Sequence, residues 1–230
     1  MTKPTVAIIP ARGGSTGIPR KNLAVVAGRP LVAHAIEQAL AARNIDRVIV
    51  NSEDEEIRSV AVESGAEVMD RPEEFTHDNS VQEVDRLLHW CVLELEGRSE
   101  KVGHIVLLYP TAPLRRVETI EEAVSMVRDG DYESVLSLVE DSTYLWRREG
   151  DEVRPTNYDP RTRGPRQQEQ WNQWAENKAV YVMTRDLIVT TGCRIGGRVG
   201  CVTMSKLESV DVDAPEDLEL VRILMERRPR

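Results

Sequence analysis

Long apolar runs, an excess of base and paired cysteines are all missing from this 230-residue sequence, and each absence excludes something. No stretch approaches the roughly 20 apolar residues needed to cross a bilayer. The opening Val6-Ala7-Ile8-Ile9 is too short for a signal-peptide core and is broken by Pro10, so a cytoplasmic chain is expected. The three cysteines, Cys91, Cys193 and Cys201, form no C-x-x-C pair. A disulfide framework and a zinc ribbon therefore drop out, and reduced thiols are expected. Lys and Arg total 30 against 39 Asp and Glu, a net charge of −9. That balance argues against a nucleic-acid surface and a polybasic membrane anchor. Internal repeats and low-complexity segments are also missing. Acid itself is absent from one place. Residues 1–36 hold Lys3, Arg12, Arg20, Lys21 and Arg29 without a carboxylate, so this segment carries +5 and the other 194 residues −14.

What is present is ordinary for a soluble globular protein, with 40% hydrophobic and 30% charged residues. At roughly 150 residues per domain, residues 1–230 suit one large domain with an appended element. Val- and Ile-rich runs predict strands at Thr5–Ile9, Arg47–Asn51, Glu67–Met69, His104–Tyr109, Ser134–Val139, Ala179–Met183 and Arg198–Met204. Helical spacing marks Leu31–Leu40, Glu53–Ser64, Val81–Leu95, Ile120–Val127 and Pro215–Glu226. This alternation predicts an α/β fold, a mainly parallel sheet with helices on both faces. The rhythm breaks over residues 141–176. Tyr144 to Arg154 reads as a β-hairpin about Gly150, and a polar stretch with Arg161, Arg163, Arg166, Trp171 and Trp174 follows. Such an insertion points to a functional loop or a dimerisation arm.

The sharpest local signal follows the first strand: Ile8-Ile9-Pro10-Ala11-Arg12-Gly13-Gly14-Ser15-Thr16-Gly17-Ile18-Pro19-Arg20-Lys21-Asn22. Three glycines let backbone N–H groups approach a phosphate chain, and Arg12, Arg20 and Lys21 supply charge. The G-G-x-x-G spacing matches neither the dinucleotide fingerprint nor the P-loop. A solvated turn carrying ordinary surface bases is the plain alternative. Three bases without one acid, directly after a buried strand, favour anion binding. Near the other end, Asp211 and Asp213 are one residue apart, so an extended segment turns both carboxylates to one face, where they could share Mg²⁺. Asp213-Ala214-Pro215-Glu216 reads equally well as a helix start with Asp213 as its cap.

The loop resembles the signature of the acylneuraminate cytidylyltransferase (CMP-sialic acid synthetase) family. Further pieces agree in order: Arg71-Pro72 with Asp78, Leu108 to Arg115, Pro165-Arg166-Gln167, Asn177 before Val180-Tyr181-Val182, and Asp211-Val212-Asp213 before a helix. The resemblance runs from about residue 5 to the end. It implies a Rossmann-like nucleotidyltransferase fold, CTP and Mg²⁺ as requirements, and a homodimer with residues 141–176 as the arm. By the same resemblance Arg12 and Lys21 contact the phosphates, and Ser15 with the amides of Ala11, Gly13 and Gly14 cradles them. Asn22 binds the nucleoside, while Arg71, Ser80 and Gln82 read the base. Without the resemblance, Arg71 would be read as one half of a surface ion pair. Asp211 and Asp213 hold the metal. Tyr109, Thr111, Arg166, Asn177 and Tyr181 face the acceptor, an acidic 2-keto sugar such as sialic, legionaminic or pseudaminic acid.

Five positions depart from the family pattern: Thr16 for lysine, Tyr109 for glutamine, Ala112 for serine, Ala175 for arginine and Lys178 for glycine. Most of them fall on the acceptor side. The sequence therefore also leaves open a phosphonate or other acceptor, another nucleotide such as GTP, or a nucleotide-binding relative without activity.

Overall fold

The structure is a computed structural model that describes residues 3–14, 17–76, 81–162 and 172–226, apart from the side chains of Val81 and Gln82. In chain order the strands are β1 (Thr5–Pro10), β2 (Val25–Val26), β3 (Arg29–Pro30), β4 (Arg47–Ser52), β5 (Glu67–Asp70), β6 (His104–Leu107), β7 (Ser134–Glu140), β8 (Trp146–Glu149), β9 (Glu152–Pro155), β10 (Trp174–Thr184) and β11 (Val199–Met204). The helices are α1 (Leu31–Ala41), α2 (Glu55–Glu63), α3 (Val81–Gly97), α4 (Val117–Arg128), α5 (Arg185–Thr191) and α6 (Pro215–Glu226).

Seven strands form one sheet in the order β11-β7-β10-β6-β1-β4-β5. Strand β1 pairs in parallel with β4 and β6, and β4 with β5; β11 runs parallel to β7. Only β10 is reversed, antiparallel to both β6 and β7. Every residue of β1 is buried, and alternate side chains serve opposite faces. Ala7 and Ile9 join the core under α1, α2 and α4, whereas Val6 and Ile8 join the core under α3 and α5. A sheet covered on both faces needs such continuous apolar strands, which is why the short Val- and Ile-rich runs marked them so well.

Strand β10 differs from its expected form. It begins at Trp174, five residues before the predicted Ala179, and its pairing with β7 shifts register between Glu176 and Tyr181. The polar residues Glu176, Asn177 and Lys178 hide this first half, because apolar patterning cannot mark a bulged edge. Helix α5 was also unforeseen. It is seven residues long, too short for a helical period; Thr184 caps its start by accepting from the Leu187 N–H at 3.2 Å, and Gly192 ends it at φ +65°. The hairpin is present as expected, with β8 and β9 joined around Gly150 at φ +63°.

The chain moves outward from β1 to β4 and β5, then returns to β6 on the other side of β1. That reversal opens a crevice beyond the carboxyl ends of β1 and β6, the usual ligand position in open α/β sheets. Because β10 runs backwards, its first residues arrive at the same end. A third core cluster of Ile18, Val26, Leu31, Leu114, Val212, Leu218 and Val221 seats α6 and the Asp211–Asp213 segment beside the crevice.

Candidate active site

The glycine-rich loop leaves β1 as Ala11, whose N–H donates to the Asn51 carbonyl at 3.0 Å. Its glycines have different duties. A Cβ on Gly13 would lie 2.5 Å from Asp54 Oδ2, and one on Gly17 would lie 2.4 Å from the Asp213 carbonyl oxygen. Gly14 faces open space, room for a ligand to reach its backbone. The Gly13 N–H is presently held by Glu53 Oε1 at 2.7 Å, so a carboxylate occupies the kind of donor that a phosphate oxygen uses. Asn22 is buried and donates to the Arg12 carbonyl at 2.9 Å, fixing the loop from behind.

The three bases of the loop are not equivalent. Arg12 is half-buried, and its only described side-chain bond goes to the Thr76 carbonyl at 3.4 Å. Lys21 donates to the Val212 carbonyl at 2.8 Å and to Asp213 Oδ1 at 3.0 Å. Arg20 is turned outward to Asp54 and Glu56, at 3.2 and 2.8 Å, away from the role the sequence suggested. Arg71 is no surface ion pair. It is buried, donates from Nε to the Phe75 carbonyl at 2.8 Å and lies 3.7 Å from Glu83. Burial lowers its pKa, partly opposed by Glu53 and Glu83.

Asp211 and Asp213 converge as the i, i+2 spacing predicts. Val212 between them is fully buried, which anchors the segment and turns both neighbours to the opposite face. Lys178 Nζ lies 3.3 Å from Asp211 Oδ2 and 3.6 Å from Asp213 Oδ2. Burial opposes the Asp213 carboxylate, but Lys21 and Lys178 outweigh it and hold its pKa below the usual range. The helix start does not use Asp213 as its cap. Asp217 reaches back to accept from the N–H groups of Asp213 and Ala214 at 3.0 and 2.8 Å, leaving Asp213 free for the site.

The pair fits a magnesium ion. Asp211 Oδ1 is buried without a hydrogen-bond partner, and two carboxylates completed by substrate phosphates are the usual Mg²⁺ donor set. Among the described residues no group of three or more His, Cys, Asp or Glu forms a closed metal site.

On the other flank, Tyr109 accepts from Arg194 Nη1 at 2.9 Å, and the same guanidinium lies 4.9 Å from the centre of the Tyr181 ring and 3.3 Å from Asp85. Tyr181 bonds through its hydroxyl to Glu176. Burial first, and then Glu176, pushes its pKa up. Thr111 reaches the site through its backbone, its carbonyl accepting from the Val212 N–H at 2.8 Å. Asn177 is spent internally: Oδ1 accepts from Ser137 Oγ at 2.5 Å and Nδ2 donates to Ser209 Oγ at 2.8 Å. Ser15, Ser80 and Arg166 lie outside the described residues, as does the side chain of Gln82.

Several contributors were missed in the sequence. Glu53 read as a helix start, and Lys178 only as a departure from a pattern. Arg194 and Asp85 carried no motif. Arg115, fully buried, ties the Tyr109 carbonyl (2.6 Å), Gln38 Oε1 (2.7 Å) and the Ala179 carbonyl together. Its motif named it without showing that role.

The arrangement places a glycine-rich loop, an ammonium group and an aspartate pair around one crevice. A sequence profile described as cytidylyltransferase matches residues 6–144. The chain belongs to the cytidylyltransferase family. N-acylneuraminate cytidylyltransferase A of Danio rerio is 33% identical over 215 residues, 92% of this chain and 48% of that protein. Pseudaminic acid cytidylyltransferase of Campylobacter jejuni is 36% identical over 123 residues, 51% of this chain and 50% of that protein. The chain thus spans about half the length of the curated relatives it matches. Its fold is that of CMP:2-keto-3-deoxy-manno-octonic acid synthetase, solved in complex with CTP, at TM-score 0.72 and 18% identity, covering 97% and 99% of the two chains. A 4-diphosphocytidyl-2C-methyl-D-erythritol synthase superposes equally well, at TM-score 0.72 and 14% identity, covering 98% and 99%. The expected α/β nucleotidyltransferase fold is therefore present, with its hairpin.

Proposed function

We propose that this family member transfers CMP from CTP to a hydroxyl of an acidic 2-keto sugar of the nonulosonic class, releasing pyrophosphate. The observation that carries the reading is the convergence of Lys21, the open Gly14 and the Asp211–Asp213 pair on one crevice. The names of the relatives, N-acylneuraminate and pseudaminic acid cytidylyltransferases, support the acceptor class. The acceptor oxygen bonds to the α-phosphorus, the bond from that phosphorus to the bridging oxygen breaks, and the hydroxyl proton passes to solvent. Pyrophosphate leaves with the electron pair, so stabilising charge is the main demand on the protein.

Arg12, Lys21, Ser15 and the amides of Ala11, Gly13 and Gly14 hold the triphosphate. Asn22, Arg71, Ser80 and Gln82 hold the nucleoside. Asp211 and Asp213 hold Mg²⁺, which supplies positive charge to the phosphates when bound. Tyr109, Thr111, Arg166 and Tyr181 form the acceptor side, with Arg194 orienting the two tyrosines and Asn177 setting the β10 backbone. The chain acts as one unit, in the cytoplasm, as a homodimer joined through the arm. Exposed Leu145, Trp146 and Val153 on the hairpin support that last assignment.

Pyrophosphate release with CTP, Mg²⁺ and a panel of nonulosonic and other 2-keto acids tests the reading. Release with at least one nonulosonic acid is expected, and equal turnover with GTP would contradict cytidine specificity. Tight CTP binding with no release on any acceptor would identify an inactive relative instead.

A further inference from the structure

Lys178 occupies an unusual position for a long side chain. Its backbone lies in the left-handed region at φ +59°, inside the register shift of β10, where glycine is the relaxed choice. The neighbours fix it there: Asn177 is bonded to Ser137 and Ser209, and the Ala179 carbonyl accepts from Arg115. The result is an ammonium set within 3.6 Å of both carboxylates of the Asp211–Asp213 pair. Lys21 bonds to the other carboxylate oxygen of Asp213, at 3.0 Å. Two carboxylates and two ammonium groups sum to no net charge, so the pair alone offers a free divalent ion little attraction. A bound triphosphate adds about four negative charges and reverses that balance.

We propose that Lys178 is a resident counter-cation of the aspartate pair, which keeps a divalent ion out until nucleotide brings it in. The proposal rests on the reading of Asp211 and Asp213 as the metal pair. Lys178 thus sets the order of binding: metal enters with CTP, not before it.

Mn²⁺ binding to the nucleotide-free protein, followed by electron paramagnetic resonance, is the direct measurement. Lys178→Gly and Lys178→Gln should each bind Mn²⁺ about tenfold more tightly than the unsubstituted protein, the effect of removing one contacting like charge. Lys178→Arg should behave as the unsubstituted protein does. Lys178→Gly also relieves the backbone, so circular dichroism should report a folded chain. The gain must vanish in Lys178→Gly/Asp211→Asn. If Lys178→Gly binds Mn²⁺ no more tightly, the counter-cation role is wrong, whatever the pair itself holds. If Asp211→Asn leaves Mn²⁺ binding in the presence of CTP unchanged, the metal reading of the pair fails, and this proposal with it.

Discussion

Lys21 holds the Val212 carbonyl and the Asp213 carboxylate while facing the loop, so one ammonium joins the two ends of the chain. Lys21→Ala should weaken CTP binding by roughly tenfold or more in calorimetry, because charge-assisted contacts to phosphate are among the stronger ones. Asp211→Asn should reduce turnover at least about a hundredfold, the scale of losing an electrostatic contributor at a reacting phosphate, with the far-ultraviolet circular dichroism unchanged. Full activity in that variant would remove Asp211 from the metal. Gly17→Ala presents a harder steric case: its Cβ would meet the backbone oxygen of Asp213, which cannot rotate away. We expect a stability loss of about 1–3 kcal/mol in urea denaturation and a displaced Asp213 segment. At this scale the aspartate pair was legible, since an extended segment has period two. Lys178 and Glu53 were not, because each matters through a partner distant in the chain.

Elements decide where those residues meet. Arg115, just before α4 and itself fully buried, links α1 to the segment after β6 and to the middle of β10 through three acceptors. Arg115→Met should cost about 2–4 kcal/mol in chemical denaturation, since it leaves one buried and two part-buried acceptors unpaired. A loss below about 1 kcal/mol would mean that water or a neighbour satisfies them. Strands β1, β4 and β6 were readable because burial on both faces forces uninterrupted apolar residues. The reversed β10 was only half readable. Its apolar second half, Ala179 to Met183, is core, while its first half carries polar residues to the crevice. No pattern in the sequence announces an antiparallel strand inside a parallel sheet.

For the whole molecule, acid should be the sensitive direction. Hydrogen bonds from exposed Arg43 lower the pKa of half-buried Glu121 to about 2 from an ordinary 4.5. A depressed carboxylate contributes stability that is fully present above its unfolded pKa and is lost as pH falls through the folded value. The midpoint difference between the unsubstituted protein and Glu121→Gln should therefore be constant above about pH 5 and shrink steadily toward pH 2. Denaturation series at pH 6, 4 and 3 check this, and a pH-independent difference would dismiss the pair as a contributor. Composition and patterning alone determined the α/β class, most strand and helix positions, the basic acid-free opening and the aspartate spacing, because each is local or periodic along the chain. The tertiary structure decided which bases face the crevice, that Asp217 takes the cap and frees Asp213, and that Lys178 lies over the aspartate pair. Those outcomes depend on side chains brought together from β1, β10 and the segment before α6, and only the sheet order and the reversal of β10 place them at one end.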